Sequence, residues 1–76
     1  MRRTLPSTQA LACFDAAARH ESYTRAADEL ALTQSAVSRQ ILGLEAFLGV
    51  ALFRRTRHGV ALTPAGRSYA RQIGPR

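Results

Sequence analysis

The stretch "TQSAVSRQILGLEAFLGV", Thr33 to Val50, constrains the fold more than any other part of this chain. At about 100° per residue, Val37, Ile41, Leu44 and Leu48 fall within about 60° of one another, a compact apolar stripe that has to face a core. Thr33 supplies an N-cap, and Gly49 suits the left-handed turn that ends a helix, so a helix opening at Thr33 and running to about Leu48 is predicted. Its outward side near the N-terminal end then carries Gln34, Ser35, Ser38 and Arg39: an amide, two hydroxyls and a guanidinium. Leu42 shares that direction and is out of keeping with it.

The segments on either side acquire meaning from this helix. Upstream, Ser7 is a good N-cap, and Leu11, Phe14 and Ala18 follow at helical spacing before the polar "RHES" of Arg19 to Ser22, which predicts a helix over about Thr8 to His20. Thr24 is the expected cap of a second, short helix in which Ala26, Ala27 and Leu30 share one face. Only Ala31, Leu32 and Thr33 separate it from the third helix. Downstream, "VALFRRTRHGVALT" has two apolar runs, Val50 to Phe53 and Val60 to Leu62, around the basic "RRTRHG". Two short strands joined by a turn at His58 and Gly59 fit this pattern better than a helix does. Thr63 then caps again, with Pro64 at the first helical position where its missing N–H costs nothing. Gly74 and Pro75 disfavour regular continuation of this last helix.

Length and charge narrow the function. A chain of 76 residues buries only about 60% of the surface its unfolded form exposes, which suits a surface that reads another molecule better than a walled active-site cavity. The single cysteine, Cys13, forms no internal disulfide and fits a reducing cytoplasm; beside Phe14 it is expected to be a packing residue rather than a redox sensor. Arg2 and Arg3 lack the apolar stretch an export signal needs, and nothing else resembles a targeting or membrane segment. Residues 1 to 50 balance Arg2, Arg3, Arg19, Arg25 and Arg39 against Asp15, Glu21, Asp28, Glu29 and Glu45. Residues 51 to 76 hold Arg54, Arg55, Arg57, Arg67, Arg71 and Arg76 with no acid, and therefore carry the whole net charge of +6. A one-sided basic block on a small domain is a footprint for a polyanion, most often nucleic acid.

Together these features describe a helix-turn-helix followed by a wing. The fold class is mainly α: three helices, a two-stranded wing, then a further helix. B-DNA's major groove, about 12 Å wide, admits one helix with its N-terminal residues toward the bases. Gln34 is suited to adenine and Arg39 to guanine or phosphate, while Ser35 and Ser38 let the backbone come close. The amides at the Thr33 end add a phosphate site. In the wing, spanning 54–59, Arg54, Arg55, Arg57 and His58 are expected on backbone phosphate or the minor groove. Tyr69 and Ile73, four apart on the last helix, form an apolar pair; with little core left to cover, a second copy of the same helix is the expected partner, giving a homodimer on an inverted-repeat operator. His20 and His58 lack metal-ligand spacing, and no cofactor or nucleophile motif is present, so neither a metal, a cofactor nor an enzyme is expected. The competing expectation is a winged-helix interaction module whose arginines meet an acidic protein.

The order "AADELALTQSAVSRQI", then "LEAFLGVALFRR", then "LTPAG" resembles the N-terminal domain of LysR-type transcriptional regulators, over nearly all of the chain. The opening "LPSTQALACFDAAARHESYTRAA" is similar to the branch related to the glycine-cleavage activator. The resemblance implies a winged helix-turn-helix over 1–62 and the start of a linker and dimerisation helix over 63–76. It also implies that an effector-binding domain, through which a small molecule would act, is absent here, and that the setting is the bacterial cytoplasm, on the nucleoid. In the family the positions matching Gln34, Ser35, Ser38 and Arg39 face the major groove, and the position matching His58 commonly holds an arginine aimed at the minor groove. Three residues depart from the pattern: Ser35 stands where proline is frequent, His58 where arginine is, and Leu42 where a basic or polar residue is common. Arg57 is placed to replace the missing wing charge.

Overall fold

A computed structural model of the chain describes residues 7–73, in the order α1 (Thr8–His20), α2 (Tyr23–Leu30), α3 (Gln34–Leu48), β1 (Phe53–Thr56), β2 (Gly59–Leu62) and α4 (Pro64–Ile73). Arg2 and Arg3, weighed against an export signal, and the Gly74–Pro75 helix stop lie outside the described residues.

Side-chain caps set most of the helix starts. Ser7 Oγ accepts from the Ala10 N–H at 3.0 Å, Thr33 Oγ1 from the Ala36 N–H at 3.0 Å, and Thr63 Oγ1 from the Gly66 N–H at 2.9 Å. Each satisfies one of the donors a helix leaves unpaired at its first turn. The second helix departs from expectation: Ser22, not Thr24, is its cap, accepting from the Arg25 N–H at 3.1 Å. The reason lies one residue earlier. Glu21 ends α1 in the left-handed region at φ 54°, which reverses the chain within two residues and delivers Ser22, in extended backbone, to the capping position. Thr24 is left inside the first turn. Ala31 ends α2 in the same left-handed conformation, at φ 59°, while Gly49 ends α3 at φ 76°. An alanine there costs roughly 1 kcal/mol, a strain that the close turn into α3 has to offset.

The hairpin is also shifted. β1 begins where the first apolar run ends, so Val50 is exposed, Leu52 is buried ahead of the strand, and Arg54 and Arg55 are strand residues rather than turn residues. The strands are antiparallel, with Phe53 opposite Leu62, Arg54 opposite Ala61, Arg55 opposite Val60 and Thr56 opposite Gly59. Arg57 and His58 make the turn.

Two apolar clusters hold these elements. Cys13, Ala16, Ala17, Ala26, Ala27, Val37 and Ile41 pack α1, α2 and α3 together; the alanines on α1 and α2 allow close approach of those two backbones. On α1 the buried face is Ala10, Cys13, Phe14, Ala16 and Ala17, with the expected Leu11 and Ala18 only half-buried at its edges. The second cluster is Phe14, Leu44 and Leu52, with Leu48, Phe53, Leu62, Tyr69, Ala70 and Ile73 packed against it. Tyr69 lies edge-on to Phe14, with ring centroids 5.3 Å apart and planes at 73°. The expectation that α4 has little core to cover is therefore corrected: Tyr69 and Ile73 close the second cluster within a single copy, because Phe14 and Leu52 present an apolar floor to them.

Candidate nucleic-acid interface

The outward side of α3 is a continuous open surface. Gln34, Ser35, Ser38, Arg39 and Leu42 line one shallow groove along it. Gln34, Ser35, Arg39 and Leu42 are exposed and Ser38 is half-buried, while Val37, Ile41 and Leu44 face inward and Leu48 is half-buried at the end of the stripe. A second groove runs between α3 and the hairpin. Its α3 side is formed by Ser38, Leu42 and Glu45, its strand side by Phe53, Arg54, Arg55 and Val60, with Tyr23 also lining it. The two grooves share Ser38 and Leu42, so helix and wing border one surface.

Four hydrogen bonds hold this arrangement. The Glu45 carboxylate accepts from the Leu52 N–H at 2.7 Å and the Phe53 N–H at 3.3 Å, tying the second half of α3 to the root of β1. In the sequence Glu45 is legible only as a charge, its one local signal being an acid four residues ahead of the helix-ending Gly49. At the other strand, the Val60 N–H donates to the Glu21 carbonyl at 3.1 Å, and a Cβ added at Gly59 would collide with that same carbonyl. The wing thus rests on the turn between α1 and α2. Finally, Gln40 Nε2 donates to Gln9 Oε1 at 3.0 Å, fixing α3 against α1 on the side away from the grooves.

Charge is distributed to match. Asp15 and Glu29 pair with Arg19 at 3.0 and 2.6 Å, and Glu29 also meets His20 at 2.7 Å. The hydrogen bond from Arg19, then that from His20, holds the Glu29 carboxyl below its ordinary range, so these acids are engaged on the α1–α2 side. Among the described residues, Arg39, Arg54, Arg55 and Arg57 have no carboxylate partner and are exposed. Tyr23 stays neutral: burial, reinforced by the nearby Glu45 charge, pushes its hydroxyl up to about 12. It stands edge-on to Phe53 at 5.6 Å and 85°, and the two rings line the groove together with Arg54 and Arg55. His58 is exposed in the turn beside Arg57, and Thr33 lies exposed at the head of α3. Of the predicted residues, Gln34, Ser35, Ser38, Arg39, Arg54 and Arg55 line the two adjoining grooves, whereas Tyr69 and Ile73 belong to the packed core edge.

The model for bacterial regulatory helix-turn-helix proteins of the lysR family matches residues 8–67. The chain belongs to the LysR family. The glycine cleavage system transcriptional activator of Escherichia coli K12 is 58% identical over 69 residues, covering 91% of this chain and 23% of that protein. Its homolog in Haemophilus influenzae is 49% identical over the same length. The chain thus spans less than a quarter of the length of these LysR-family relatives, each being covered over 23%. Among solved structures, a LysR-family regulator from Eggerthella lenta superposes with a TM-score of 0.82 at 37% identity, covering 88% of this chain and 96% of that one. The complex of the CbnR DNA-binding domain with DNA gives 0.81 at 37% identity, covering 88% and 80%. The BenM DNA-binding domain on benA site 1 DNA gives 0.77 at 37% identity, covering 88% and 79%. No helix among the described residues is long and apolar enough to cross a membrane.

Proposed function

We propose that this chain is the DNA-reading domain of a bacterial transcriptional regulator, entering the major groove with α3 and gripping the flanking backbone with the β1–β2 wing. The observation that carries this is the shared surface on which Gln34, Ser35, Ser38 and Arg39 meet Arg54 and Arg55, with no acid drawn to any of these arginines. An amide and a guanidinium on the first two turns of a helix match the donor and acceptor patterns of adenine and guanine edges. Arg55, with Arg57 and His58 of the adjoining turn, would meet the next phosphates or the minor groove. The superposition on LysR-family domains solved with DNA supports the same docking.

One helix specifies few bases, so the proposal includes two copies on an inverted repeat, with recognition helices about one turn, some 34–36 Å, apart. Because Tyr69 and Ile73 are already half-buried in their own core, pairing through α4 would use their remaining exposed rims rather than a free apolar stripe. No cofactor takes part in this domain, the setting is the cytoplasm, and response to a small-molecule effector belongs to a separate domain.

Selecting bound duplexes from a random pool at fixed salt tests the function. Recovery of an inverted repeat, bound by two copies in sedimentation, is the expected result. Enrichment of no sequence, with tight binding to an acidic protein instead, would favour an interaction module.

A further inference from the structure

Leu42 is the most exposed large apolar side chain among the described residues, at 61%, against 44% for both Phe47 and Val50. It stands on α3 three residues beyond Arg39 and four beyond Ser38, in the same stripe as the polar groups proposed to read bases. It also lines the groove shared with Arg54 and Arg55. Tyr23 and Phe53 line that groove as well, but Leu42 remains mostly uncovered by them, so sealing the domain's own core does not account for its position.

The geometry points to Leu42 as a specificity-determining residue that recognises the C5 methyl group of a thymine in the major groove, an inference that rests on the DNA-reading function proposed above. Leucine has no donor or acceptor to offer a base edge or a phosphate. The thymine methyl is the apolar group that base pairs present in the major groove, and its recognition is by apolar contact. At 1.5 Å rise per residue, Leu42 lies about 4.5 Å along the helix axis from Arg39, a little more than the roughly 3.4 Å separating successive bases of one strand. That spacing puts Leu42 within reach of a base step adjacent to the one proposed for Arg39.

The test uses the duplex recovered by selection from a random pool, with each thymine replaced in turn by uracil, which removes the methyl group alone. Binding of the 76-residue chain, Leu42→Ala and Leu42→Met is measured at one salt concentration. The expected result is a thymine in each half-site whose replacement weakens the unaltered chain about three- to fivefold, the size set by one methyl withdrawn from water. The same replacement should change Leu42→Ala binding by less than about 1.5-fold, while Leu42→Met keeps most of the effect, since its apolar side chain still reaches the methyl. If every uracil duplex binds the unaltered chain and Leu42→Ala with the same relative affinities, the assignment of Leu42 is overturned while DNA reading stands. If selection recovers no sequence, DNA reading fails and the assignment falls with it.

Discussion

Glu45 Oε2 accepts a hydrogen bond from the Leu52 N–H at 2.7 Å, which joins the proposed recognition helix to the wing through one side chain. Leu52 is fully buried, so without this acceptor its N–H would lie unpaired in the core. Glu45→Ala should lower unfolding stability by about 1–3 kcal/mol in urea titration, and Glu45→Gln, which keeps an acceptor, by clearly less. Equal losses for the two variants would assign the effect to charge rather than to the backbone bond.

Two glycines should respond in opposite directions. At Gly59 an added Cβ meets the Glu21 carbonyl, so Gly59→Ala must push the wing off the α1–α2 turn, at a cost of about 1–3 kcal/mol. At Gly43 nothing lies within 4 Å, and Gly43→Ala in the exposed interior of α3 should stabilise by about 0.5–1 kcal/mol. Thermal unfolding of both variants checks the signs.

The wing arginines should set salt dependence rather than sequence preference. Each phosphate contact contributes about 0.9 to the slope of log affinity against log salt, so neutralising Arg55 and Arg57 together should flatten it by about one to two units. The bases preferred in selection should mostly persist. An unchanged slope with new flanking bases would mean that the wing reads base edges.

Where cap chemistry is local, the sequence was sufficient: Ser7, Thr33 and Thr63 each act within three residues of themselves. The inward stripe of Val37, Ile41 and Leu44 was equally legible, because helical periodicity alone separates it from Gln34, Ser35 and Arg39. The capping role of Ser22 is not legible in sequence, because it depends on Glu21 adopting a left-handed backbone that a non-glycine residue seldom announces. The role of Glu45 is not legible locally, because the N–H groups that donate to its carboxylate are seven and eight residues away, across a chain reversal. The covering of Phe14 by Tyr69 joins the first helix to the last, a contact that neither helix's own pattern encodes. In the candidate site, helical periodicity alone puts Gln34, Ser35 and Arg39 on the outward side of α3; that Ser38 and Leu42 border both grooves depends on the hairpin's position.

The central claim is that the outward side chains of α3 read base edges. Its most direct test compares the unaltered chain with Gln34→Ala and Arg39→Ala on the selected duplex and on a scrambled duplex at the same salt. Each substitution should cost roughly 1–3 kcal/mol on the selected duplex and much less on the scrambled one, because a base-edge bond is lost while the phosphate contacts remain. Equal weakening on both duplexes would place Gln34 and Arg39 on the backbone and contradict the account.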